Sequence, residues 1–144
     1  MEGVTASGAT ATAKETFGKT INVVVEIFVP VGAAIAGFFM PTVLGGGKSI
    51  ADAMYRAQGG SGSGSIANRV AWAVQALINA AVGGAFWTLR HHANVIAKAI
   101  GGAIGGFFLG SAVGCLPGLL SGNQPTSGVI DSLATSVQSI AAEG

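Results

Sequence analysis

The sequence predicts an all-α protein built from hydrophobic, membrane-type helices. Three observations carry that expectation. Only 9% of the 144 residues are charged, and half are hydrophobic, whereas an ordinary soluble domain carries about 25% charged residues. The mean hydropathy is +0.62. Finally, the uncharged stretch Ala99–Gly122, AIGGAIGGFFLGSAVGCLPGLLSG, repeats glycine at helical spacing. Seven basic and six acidic side chains make a thin polar shell for a chain of this length. The balance points to lipid, or to a polymer whose subunits cover one another.

Gly101, Gly102, Gly105, Gly106, Gly110 and Gly114 are the expected helix-packing residues. Residues four apart share a helix face, and a glycine face lets a second backbone approach closely, as between helices in lipid. In water each interior glycine costs about 1 kcal/mol against alanine, so the stretch suits a membrane better than solvent.

The elements follow in order. Met1–Ala13 is small and polar and reads as an extended or weakly helical arm, without the basic start and apolar run of a signal peptide. After the charged cluster Lys14–Thr20, the uncharged part of the first apolar run, Ile27–Gly47, is just long enough to cross a hydrocarbon core of about 30 Å. Pro30 and Pro41 favour kinks inside it, and Glu26 stands near its start as an interfacial carboxylate close to Lys14 or Lys19. Lys48–Gln58 reads as a short amphipathic helix at a polar–apolar boundary. Gly59–Ser65, GGSGSGS, is a flexible linker that separates residues 1–58 from the hydrophobic hairpin of residues 66–122. Within that hairpin, Gln75 and Asn79 share a face and either hydrogen-bond to a neighbouring helix or line a wet lumen. Phe86 and Trp87 suit an interfacial position. Pro125 stops the last apolar run, and residues 123–144 contain an amphipathic C-terminal helix over Val129–Ala142. Counting positive charges in the connections gives conflicting orientations if all three runs span.

Catalysis is not expected. No nucleophile motif such as G-x-S-x-G occurs. His91 and His92 are adjacent, so on a helix they diverge by about 100° and make a poor metal pair; no metal site is expected. Gly45–Ser49, GGGKS, ends like a phosphate-binding loop, but the required upstream glycine is missing and a membrane-type helix, not a strand, precedes it. Cys115 is the single cysteine and forms no intrachain disulfide. A net charge of +1 gives no basis for phosphate neutralisation, so no direct sequence-specific nucleic-acid binding is expected.

Val70–Leu89, the basic turn RHHANVIAK from Arg90 to Lys98, and Ala99–Leu120 make two hydrophobic helices joined by a short polar link. This arrangement resembles the pilins of conjugation and type IV secretion systems. Lys14–Lys19, KETFGK, before a Val-rich run resembles the segment that leads into the first long helix of F-type pilins. The resemblance implies an all-helical subunit, held in a membrane and extruded into a helical homopolymer at the cell surface, a conduit for DNA transfer. It further implies that lipid is retained between subunits, and that Arg90, His91, His92 and Lys98 face a lumen or lipid head groups. Apart from bound lipid, no cofactor is expected. The chain departs from that family in its third apolar run and in GGSGSGS. The alternatives are a small accessory subunit of a membrane complex, a hydrophobic viral coat or envelope protein, and a pore-forming toxin.

Overall fold

The computed structural model describes residues 2–59 and 64–143, with side chains over 12–59 and 65–143. The fold is all-α, and among the described residues there is no strand. Helix α1 (Glu2–Val23) runs through a π-helical turn (Val24–Phe28) into α2 (Val29–Phe38). After a turn come α3 (Gly47–Ala57), α4 (Gly64–Trp87), a 3₁₀ turn (Thr88–His91), α5 (Val95–Gly114), α6 (Leu116–Ser121) and α7 (Val129–Glu143). Among the described residues, three stretches are long and apolar enough to cross a membrane: Thr12–Phe38, Ser65–His91 and Val95–Ser121.

The first of these differs from the expected Ile27–Gly47. Pro30 does not break the helix: the turn before it is π-helical, with Val29 N–H reaching back five residues to Val24 O, and α2 runs on from Val29. Pro41 does stop it. Helix α2 ends at Phe38, and the chain reverses through Gly45 and Gly46, whose φ values of 76° and 92° are in the left-handed region that glycine tolerates. The apolar helix is therefore displaced toward the N-terminus, and the expected arm before Ala13 is helical from Glu2 onward. Of the expected linker, residues 60–63 lie outside the described residues; Gly59 (φ 69°) closes α3, while Gly64 and Ser65 already belong to α4. The expected polar link ends earlier too: Asn94 Oδ1 accepts from Ile96 N at 2.8 Å and Ala97 N at 3.4 Å, so α5 begins at Val95 and Lys98 lies in its first turn.

Helix α5 is the central element. Its Gly102, Gly106, Gly110 and Gly114 face Pro30, Ala34 and Phe38, so α2 runs parallel to it. Its Gly101 and Gly105 face Phe86, Leu89 and Trp87, and Gly83 of α4 faces Leu109, so α4 runs antiparallel to it. The interior is correspondingly unlike that of a water-soluble domain. It contains Ala67, Ala71, Trp72 and Cys115 together with buried Gln75, Asn79 and Ser111, while Ile35, Phe39, Leu77 and Leu120 are exposed. Contiguous exposed apolar surface of this kind marks contact with lipid or with other chains.

Candidate functional site

Three features of the fold could carry function, and each is built from residues far apart in sequence. The glycine faces come first. A Cβ at Gly106 would stand 2.7 Å from Pro30 O, one at Gly110 2.6 Å from Ala34 Cα, and one at Gly114 3.0 Å from Phe38 C. On the other face, a Cβ at Gly101 would lie 2.8 Å from Phe86 O and one at Gly105 2.9 Å from Trp87 N. In each case the obstructing atom is backbone, which cannot swing aside. Gly102 is different: its nearest neighbour would be Pro30 Cδ at 3.4 Å, an ordinary contact. All six expected packing glycines are thus buried in helix contacts within a single chain.

The second feature is the charged end of the helical layer. Proline at position 30 has no N–H, which leaves the carbonyl of residue 26 without its usual i+4 donor. Arg90 fills that gap: its Nη2 donates to Glu26 O at 2.8 Å. The same guanidinium lies 4.1 Å from the centroid of the Trp87 ring, within cation–π range. The Glu26 carboxylate is 3.6 Å from Lys98 Nζ. The expected partner was Lys14 or Lys19, but Lys19 instead pairs with Glu15, one turn away, at 3.2 Å. Arg90 and Lys98 are therefore brought together around Glu26, whereas His91 and His92 are exposed beside them. Among the described residues no three His, Cys, Asp or Glu side chains converge as a metal would need. Next to this cluster an open apolar groove of about 330 Å³ lies between α2 and α4, with Gly106 of α5 in its lining. Ile27, Val31, Trp87 and Leu109 line it, and Glu26 stands at the same groove.

The third feature lies at the opposite end of the layer, and sequence reasoning missed its key residue. Asp131, in the first turn of α7, is 3% exposed. One carboxylate oxygen accepts from Gly46 N and Gly128 N, each at 2.9 Å, and the other accepts from Ser49 N at 2.9 Å. Burial alone would push this carboxyl up. The hydrogen bonds from the Ser49 hydroxyl and from the N–H groups of Gly128, Ser49 and Gly46 outweigh burial and hold it below the usual aspartate value. The GGGKS stretch is thus an anion-binding helix start, and its anion is the chain's own carboxylate. Two backbone bonds, Val129 N to Val43 O at 3.1 Å and Ile130 N to Leu44 O at 2.7 Å, complete the attachment of α7. The available signal was the pair Gly45–Gly46 before Ser49, together with the only acid in the first turns of α7.

Gln75 and Asn79 lie near this end as well. They hydrogen-bond inside the chain, to Pro41 O at 2.7 and 3.0 Å, and do not face a lumen formed by this chain. No protein-family model, no curated protein and no solved structure matches the chain.

Proposed function

We propose that the chain is a membrane-embedded structural subunit that self-assembles into a lipid-associated helical filament or tube, in the manner of a conjugative pilin, with no enzymatic role. The observation that carries this reading is the inverted distribution of side chains. Glycine, alanine and carboxamides are inside, and large apolar side chains face outward on all three apolar helices. A second observation agrees with it. Every side chain from Thr12 to Thr20 is exposed on a helix that leaves the bundle. A helix rich in Gly and Thr has little intrinsic stability without packing partners. Lipid and neighbouring copies together supply the missing contacts. The groove beside Trp87 has the apolar lining an acyl chain requires, and Lys98, His91 and His92 stand at the level of its head group.

Electron microscopy of the material purified in mild detergent, with lipid extracted and quantified in parallel, tests the proposal. Filaments or tubes made of this single chain and retaining lipid are expected. A monodisperse single copy, or constant co-purification with a fixed set of different chains, would overturn it in favour of a solitary or accessory membrane subunit.

A further inference from the structure

Two apolar stripes stand uncovered at opposite ends of α5. On α1 and the π turn, Phe17, Val24 and Phe28 are exposed and Ile21 is half-buried. At about 100° per residue these four share one helix face. On α7, Val129, Leu133, Val137 and Ile140 are all exposed. They lie about 160–240° round the helix from Asp131, the residue that ties α7 to the start of α3. The attachment therefore leaves this face uncovered. An open groove of about 660 Å³ adjoins it, lined by Val129, Leu133 and Ser136 of α7 and by Phe39, Met40 and Val43.

The two stripes cannot meet within one copy. Helix α1 leads away from the end of α5 where Lys98 pairs with Glu26, and α7 is attached at the other end. The 20 residues of α5 hold these ends about 30 Å apart, whereas α7, with 15 residues, is only about 22 Å long. Two copies bring the stripes together. Each stripe advances eleven residues from first to last, about three turns. Laid antiparallel, Phe17 meets Ile140, Ile21 meets Val137, Val24 meets Leu133 and Phe28 meets Val129. The same register sets Lys14 beside Glu143, each three residues beyond the end of its stripe. Neither has an ion-pair partner among the described residues. Parallel pairing would instead set the Glu143 carboxylate against Val31, an exposed apolar side chain, so charge selects the antiparallel direction.

We propose that α1 of one copy docks antiparallel on α7 of the next. The proposal rests on the self-assembly put forward above and names the surface that carries it. The contact joins one end of a copy to the opposite end of its neighbour. Such a heterologous, head-to-tail contact builds an open filament when its rotation does not close.

The test is disulfide cross-linking of the full chain, assembled with lipid and followed in parallel by electron microscopy. In the double variant Phe17→Cys/Ile140→Cys, oxidation should yield a ladder of dimers, trimers and longer species on denaturing gels, absent from either single variant. An equimolar mixture of the two single variants should stop at dimers. Polymers that give no ladder, or a cross-link closed within a monomer, would overturn this contact and leave self-assembly standing; wild-type material that forms no polymers would overturn both. If the cysteine pair prevents assembly, a charge exchange decides. Lys14→Glu should raise the concentration needed for assembly roughly two- to five-fold, and adding Glu143→Lys should restore it. No recovery in that doubly substituted chain would overturn the contact.

Discussion

The close packing of α2 on α5 can be measured by making one substitution at two glycines. At Gly110, a Cβ would overlap the Ala34 carbonyl oxygen and lie 2.6 Å from Ala34 Cα. At Gly84, on α4, a Cβ would meet nothing within 4 Å. Alanine raises helix propensity at both positions, by about 1 kcal/mol. At Gly110 the two backbones must also separate by roughly 1 Å to restore an ordinary carbon–carbon contact, and overpacking of this kind costs about 1–3 kcal/mol. Gly84→Ala should therefore stabilise the protein, while Gly110→Ala should be neutral to destabilising. The gap between the two variants should be about 1–3 kcal/mol, or roughly 5- to 150-fold in the unfolding equilibrium. Titration from mild detergent into dodecyl sulfate, followed by tryptophan fluorescence, reads that gap. Equal stabilisation by both substitutions would refute the packing argument. By the same geometry, Gly106→Leu or Gly110→Leu would disrupt the packing of α2 on α5 within the single chain.

Other consequences follow from the charged end and the α7 attachment. Arg90→Lys keeps the charge but cannot hold Glu26 O and cover the Trp87 ring with one planar group, so thermal unfolding should begin earlier by an amount equivalent to about 1 kcal/mol. An unchanged melting curve would show that the guanidinium contacts are incidental. Asp131→Asn removes a charged acceptor worth about 1.5–3 kcal/mol in hydrogen bonds, and limited proteolysis should then cut α7 much faster than the rest of the chain; equal cutting rates would count against the attachment. In the wild type, Asp131 is held below its ordinary value, so its contribution is fully present above the unfolded-state pKa of about 3.9. It is lost as pH falls from there through the lower folded value. Hydrogen exchange at the Gly46 and Ser49 amides should accordingly stay slow at neutral pH and accelerate only in strong acid; acceleration near pH 6 would contradict this.

Much of the helical framework was legible in the sequence, because glycine recurrence and long uncharged runs are local signals. The face formed by Gly106, Gly110 and Gly114 could be located from spacing alone, but its partner could not, since α2 lies some 70 residues away and nothing in its own composition names α5. The end of the first apolar helix was misplaced because Pro30 and Pro41 look alike in sequence. What distinguishes them is context: Pro30 follows a π turn and Arg90 supplies a donor to Glu26 O in its place, whereas Pro41 is followed by glycines that turn the chain. Glu26 was expected to pair with a lysine close in sequence, yet its partner is Lys98, delivered by the hairpin. Asp131 gave little sign of its role because a single acid among Ser and Thr looks like ordinary solvation. Its function becomes visible only when the Gly45–Ser49 turn is brought against it.

The central claim is that the first two apolar helices pack on α5 and that large side chains of all three are turned toward lipid. Spin labels placed singly at Ile35 and Leu77, both exposed, and read in phospholipid vesicles at low protein density, test it directly. Strong relaxation by oxygen and weak relaxation by a water-soluble nickel complex are the predicted results at both positions. Strong relaxation by nickel at either would place that helix in water and contradict the account.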